Sequence, residues 1–201
     1  MTAVPARRRK ARPSKGDLSR RRILEAAEKV FAELGFHTAS IVKITEAAGL
    51  AQGTFYIYFE SKQAIFEQLL LDLNHRVRQA MAEGSAHAST REEAERGGFL
   101  GFFQFTAKHP ALYRVIRQAE FIAPTLLAWH YETIATGYIE GLRAAMEAGE
   151  IAEADPEVVA WALMAIWEMI GMRWVLWPGA DEIPPHVFEE TMALVARALR
   201  R

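Results

Sequence analysis

The chain has 201 residues and 22.6 kDa, with 51% hydrophobic and 24% charged residues, a globular composition that excludes a mostly disordered or fibrous protein. It contains no cysteine, which excludes disulfide scaffolds, Cys-ligated zinc and thiol nucleophiles. Net charge is −1, yet residues 1–80 carry +6 and residues 81–201 carry −7, which reads as a polyanion-binding head on an acidic body or as a solvated surface.

Residues 1–16 hold Arg7, Arg8, Arg9, Lys10, Arg12 and Lys15 without apolar periodicity, and are expected to form a disordered basic arm. Such an arm either tracks phosphates or solubilises the chain. No apolar stretch follows these basic residues, so the start does not read as a secretory signal, and a cytoplasmic location is expected. From Asp17, a plausible N-cap, Ile23, Ala27, Val30, Phe31 and Leu34 form the stripe of an amphipathic first helix that Gly35 ends. Ser40 caps a short second helix, Ile41 to Ala48, which Gly49 stops, and a third runs from about Gln52 to Phe59. Ser61 caps a long fourth helix, with Ile65, Leu69 and Leu73 on one side.

The break at Gly84–Ser89 lies near the expected boundary, with a DNA-binding unit over residues 17–77 and a body over 78–201. Thr90 with Glu93 predicts a capping box for the fifth helix. Pro110 opens a sixth, Pro124 a seventh closed by Gly149, and Asp155-Pro156 caps an eighth reaching about Trp177. A Pro- and Gly-containing linker over Pro178–Pro185 precedes the ninth. No strand-like alternation occurs, so the fold class is all-α with about nine helices. Val158–Trp177 is nearly all apolar, but a membrane span there would carry Glu168 and Arg173, each costing roughly 2.5–3.5 kcal/mol at mid-bilayer. A core helix that also meets a partner chain is the better reading, with no membrane involved.

Thr38 to Lys62, TASIVKITEAAGLAQGTFYIYFESK, has the pattern of a helix-turn-helix, whose second helix enters the DNA major groove. Gly49 permits the turn, and Ala47 and Ala48 allow close helix approach. Phe55 and Phe59 are expected to anchor inward, leaving Gln52, Thr54, Tyr56 and Tyr58 for other faces. Gln bonds adenine bidentately, and a Thr methyl meets the thymine methyl. Lys62 places a cation beside a helix amide terminus, where a phosphate would sit.

The run from Arg22 to Leu70, with ILEAAEKVFAELGF, the helix-turn-helix and GTFYIYFESKQAIF in order, resembles the tetracycline-repressor (TetR) family of bacterial transcriptional regulators. The resemblance implies a homodimer on a palindromic double-stranded operator, and a helical C-terminal domain for dimerisation and small-molecule binding that releases the DNA. On the positions that carry it, it implies DNA contacts for Ser40, Gln52, Gly53, Thr54, Tyr56, Tyr58 and Lys62, to which Lys43 and Thr45 are added. Ala51 stands where the family often has Ser, losing a capping hydroxyl, and Thr45 stands where Ala is usual. The stretch HPALYRVIRQAEF is also similar to acyl-CoA-responsive members, which makes a fatty acyl-CoA a candidate effector.

The body holds all five tryptophans and many phenylalanines, which build either an aromatic core or an apolar ligand cleft. Phe102, Phe103, Tyr113, Trp129, Trp167 and Trp174 are the expected cleft wall, with Arg117, Glu168 and Arg173 as its polar groups. The two arginines would hold an anionic end of the ligand. Trp161, Met164, Trp167, Val187, Leu194 and Val195 on the eighth and ninth helices are expected to pair across a dimer. No nucleophile elbow, H-E-x-x-H or phosphate loop occurs, and the six histidines lack metal-ligand spacing, so neither catalysis, metal nor cofactor is expected. The rival functions are a sequence-tolerant architectural DNA binder and an all-α enzyme.

Overall fold

The computed structural model of the protein describes residues 14–200. The expected basic arm, apart from its last three residues, lies outside them, as does Arg201. Nine α-helices occur among the described residues and no strand: α1 (Lys15–Thr38), α2 (Ile41–Ala48), α3 (Gln52–Tyr58), α4 (Lys62–Ser85), α5 (Arg91–Lys108), α6 (Ala111–Ile122), α7 (Pro124–Glu147), α8 (Pro156–Gly171) and α9 (Pro185–Leu199). A π-helical turn, Met172–Leu176, extends α8.

α1 starts two residues before the expected Asp17 cap. Ser14 is the N-cap, its hydroxyl accepting from the Asp17 N–H while the Asp17 carboxylate accepts from the Ser14 N–H, a reciprocal capping box. The box predicted at Thr90 is only half made. Thr90 accepts from the Glu93 N–H, but the Glu93 carboxylate reaches one residue further back, to the N–H and hydroxyl of Ser89. Gly35 breaks α1 at φ 74°, which frees the Phe36 N–H from the helix ladder. The Gln118 side-chain oxygen on α6 accepts it at 2.5 Å.

Two apolar cores divide the helices. Residues of α1 to α4 bury Ile23, Phe31, Phe55, Phe66 and Leu69 together, and Leu112, Val115, Ile116 and Ala119 of α6 join them. The expected division at residues 77 and 78 falls inside the continuous α4. The second core is built from α5, α7, α8 and α9 around Trp167, which stacks on Phe99 at 3.8 Å between ring centres. At its edge the buried Glu95 pairs with Arg91 and accepts from the Tyr138 hydroxyl; burial pushes its carboxyl up to about 7 against the pull of Arg91.

α4 and α5 touch backbone to backbone. A Cβ on Gly84 would collide with the Gly97 carbonyl, one on Gly97 with the Gly84 carbonyl, and one on Gly101 with the Ala80 carbonyl. The stretch Pro156–Leu176 is long and apolar enough to cross a membrane by composition, but a third of its most apolar window is buried inside the chain. Leu34, the last residue of the predicted first stripe, is exposed beyond the reach of the core.

Candidate nucleic-acid interface and interior cavity

The head is assembled around α3. Phe55 and Phe59 point inward and are buried, as their spacing predicts. Ile57 lies about 200° around the helix from Phe55, and it is 73% exposed. With Gln52, Gly53 and Tyr56, also exposed, it forms the outward face of α3. Nothing lies within 4 Å of where a Gly53 Cβ would stand, so the fold itself does not demand glycine there. Ile57 reads as core by type, yet its position opposite Phe55 turns it to the outside.

The helices that carry α3 are held by identifiable bonds. Ser40 caps α2 by accepting from the Lys43 N–H, and Gly49 closes it in the left-handed region at φ 62°. Arg22 Nη2 on α1 donates to the Ala48 carbonyl at 2.6 Å, satisfying an end of α2 that pattern reading did not assign. Ala48 packs inward but Ala47 is exposed, so only one of the two alanines sets the helix approach. Ala51 caps α3 without a side-chain bond, as its missing hydroxyl dictates. Lys43 is exposed at the start of α2, Thr54 is half-buried, and Tyr58 is half-buried against the head core.

Two expected contacts are corrected. Thr45 is 3% exposed, and its hydroxyl donates to the Ile41 and Val42 carbonyls at 3.0 and 2.9 Å, so it faces the head core rather than DNA. The Lys62 ammonium turns back on the end of α1 beyond the Gly35 break. It donates to the carbonyls of Phe36 (2.7 Å), Ala39 (2.8 Å) and His37 (3.4 Å) and lies over the Phe36 ring. Its three donors are therefore directed at the fold, not at a phosphate. A Lys62→Met variant should lose about 1–3 kcal/mol of stability, because the freed carbonyls lack another donor. Its DNA affinity, followed across salt concentrations, should keep the slope of the unaltered protein; a slope flatter by about one unit would restore the phosphate role.

α6 joins the head to an interior cavity. Gln118 grips the end of α1, and Arg114 donates to the Ala32 carbonyl, while Leu112, Tyr113 and Ile116 on the same helix line the cavity. The cavity encloses about 50 Å³ among α4 to α8. Of the expected wall, Phe102, Tyr113, Trp167 and Glu168 line it. Phe103 lies instead in the second core against Trp167 and Phe188, because α5 turns it toward α8 and α9. Trp129 is outside too, on the wall of an open groove of about 820 Å³ between α4, α5 and α7.

The two arginines expected to bind an anion stand away from the cavity. Arg173 is exposed with its guanidinium over the Trp174 ring, and neither residue lines the cavity. Arg117 is exposed, with Nη1 3.5 Å from the Met172 sulfur. Glu168 accepts from the Tyr131 hydroxyl at 2.9 Å, a partner not foreseen because Tyr131 sits on another helix. His130, also on the wall, receives a bond from the buried Asn74 side chain at 2.9 Å. Burial, helped by the Arg78 charge, drives its pKa down to about 4, so its ring is neutral near pH 7. Among the described residues no cluster of three or more His, Asp or Glu is disposed to hold a metal.

Comparison with known proteins agrees with this architecture. Residues 23–69 match the family model described as bacterial regulatory proteins, tetR family. The transcriptional regulator YdgC of Bacillus subtilis is 49% identical over 65 residues, which span 32% of this chain and 33% of YdgC. The transcriptional regulator EthR of Mycolicibacterium smegmatis is 27% identical over 96% of this chain and 88% of its own. The crystal structure of the regulator FadR from Bacillus subtilis, in complex with stearoyl-CoA, superposes with a TM-score of 0.79 at 22% identity, over 90% of this chain and 99% of that one. The matched segment thus carries a helix-turn-helix head of the tetR-family type, and nearly the whole chain shares the helical fold of the TetR-family regulators to which it is similar.

Proposed function

We propose that the protein is a dimeric cytoplasmic repressor that holds a palindromic operator through α3 and releases it when a small, largely apolar effector enters the interior cavity. The observation that carries this reading is the outward face of α3, where Gln52, Gly53, Tyr56 and Ile57 stand exposed on a helix anchored by Phe55 and Phe59. Gln52 is suited to adenine, and the Ile57 side chain to the thymine methyl. Ser40, Lys43, Thr54 and Tyr58 flank that face and are assigned to the DNA backbone and groove edges. The regulator reading is preferred to an enzyme because the relatives are transcriptional regulators.

The dimer is assigned to α8 and α9. Trp167, Val187 and Val195, expected at that interface, are buried in the chain's own core, but Val158, Trp161 and Met169 of α8 and Leu194 of α9 remain open. A fatty acyl-CoA is the effector class favoured by the stearoyl-CoA that FadR holds. The cavity of about 50 Å³ is far below the roughly 300–1,000 Å³ of ligand sites, so an acyl chain must displace flexible side chains such as Met81 and Met164. A ligand that fits only the expanded state acts by differential affinity. Expansion would push α4 and α6, which reach the head through Lys62 and Gln118.

The test begins with selection of bound fragments from the native genome, followed by electrophoretic shifts against random DNA. A palindromic site should be preferred, and Gln52→Ala should relax that preference by about 1–3 kcal/mol per base contact. Equal affinity for random DNA would favour the architectural binder instead. Acyl-CoAs of graded chain length should release the operator, and release by none of them would remove that effector class.

A further inference from the structure

The outward face of α3 carries no charge. Its exposed residues, Gln52, Gly53, Tyr56 and Ile57, span about 140° of the helix at about 100° per residue, and no residue of α3 is acidic or basic. Nearby in the chain, Lys62 and Arg22 donate to carbonyls of the fold, and Arg20 lies over the Phe59 ring. Lys43 stands in the first turn of α2, the helix that crosses the DNA backbone in this motif. Guanine is read in the major groove through O6 and N7, chiefly by arginine or lysine, and α3 offers neither. It offers a carboxamide, Gln52, with the donor and acceptor that pair with adenine, and an isoleucine.

Ile57 is 73% exposed and joins neither apolar core, so the fold gives it no packing role. The apolar group that the major groove presents is the thymine methyl. Gly53 stands between Tyr56 and Ile57 around the helix. Alanine would suit a helix better there, and nothing lies within 4 Å of where its Cβ would stand, so packing within the chain does not account for the glycine. A backbone that comes close to another molecule does account for it. With Gly53 as the low point of the face, the Ile57 side chain beside it reaches the base edges.

We propose that each operator half-site is read at A·T pairs with no guanine contact, that Ile57 against a thymine methyl sets the sequence preference, and that Gly53 is the point of closest approach. This deepens the operator reading and rests on it. Gln52 and Ile57 stand about 7.5 Å apart along the helix axis, so they meet different base pairs.

The experiment takes the site selected from the native genome and measures fluorescence anisotropy with duplexes in which one thymine of each half-site is replaced by uracil, position by position. Uracil lacks only the C5 methyl, so base pairing is kept. One position should respond, weakening binding about fifteenfold, from roughly fourfold for each methyl group left unburied. Ile57→Ala should bind the thymine and uracil duplexes equally. Replacing each guanine by 7-deazaguanine, which lacks the N7 acceptor, should change affinity less than about twofold. Gly53→Ala should raise the melting temperature of the free protein and weaken operator binding about tenfold. No responding thymine, a response that persists in Ile57→Ala, a guanine that responds more strongly than any thymine, or Gly53→Ala that lowers the melting temperature or leaves affinity unaltered would each overturn the proposal. Selection that yields no preferred site would instead overturn the operator reading, and this inference with it.

Discussion

A Leu194→Asp variant is expected to be monomeric in light scattering and to lose operator affinity by a hundredfold or more. Leu194 is 48% exposed on α9, and Trp161, 41% exposed on α8, belongs with Val158 and Met169 to a run of open apolar side chains one or two turns apart. One such residue needs no explanation; a helix with this many open apolar residues, in a chain that buries its other side, calls for a partner surface. A carboxylate placed in that contact would be desolvated without a cation, which outweighs the contribution of one leucine. Loss of the second head then removes the avidity of two half-sites, worth roughly 10²–10⁴ in affinity. The monomer itself should stay folded, because Leu194 contributes nothing to either core. An unaltered protein that is monomeric at micromolar concentration while bound to operator would refute the assigned interface.

Gly97→Ala should lower stability by about 3 kcal/mol, which for a chain of this size is roughly 6–12 °C in melting temperature. Two effects compete at this position. Alanine improves helix propensity by about 1 kcal/mol, but its methyl group would strike the Gly84 carbonyl, a backbone atom that cannot rotate aside. Gly101, one turn further along α5, lies as close to the Ala80 carbonyl, so α4 and α5 touch at more than one point and a local adjustment at Gly97 does not relieve the clash. Gly137→Ala on α7 supplies the control, since nothing lies within 4 Å of its Cβ position and only the propensity gain applies. Equal melting temperatures for the two variants would show that the α4–α5 contact yields readily. Because α4 carries Lys62 at one end and the cavity residues Val77 and Met81 further along, Gly97→Ala should also alter release of DNA by effector.

Local chemistry decided much of this molecule before any packing was known. Ser40, Gly49, Ser61 and Asp155 set helix ends by side-chain or backbone geometry that acts within four residues, and each stands where the sequence predicts. The inward pair Phe55 and Phe59 is legible for the same reason: a 3.6-residue period places both on one face whatever lies beneath. Asp17 shows the limit of that reasoning, since Ser14 and Asp17 are both good caps and only the reciprocal bonds chose between them.

What tertiary structure alone decided is where long side chains end. Lys62 has the type and place of a phosphate contact, but the end of α1 beyond the Gly35 break brought three carbonyls within its reach. Arg117 and Arg173 sit among aromatic residues in the sequence yet stand at the surface, because a flexible stem lets a guanidinium escape burial at little cost. The cavity wall joins residues from five helices, and Tyr131 meets Glu168 across 37 positions, a separation no periodicity encodes. The sequence by itself determined the helices, their caps and the reading head, since those depend on contacts a few residues apart. The cavity, the α4–α5 backbone contact and the direction of every long polar side chain were decided by packing between helices distant in the chain.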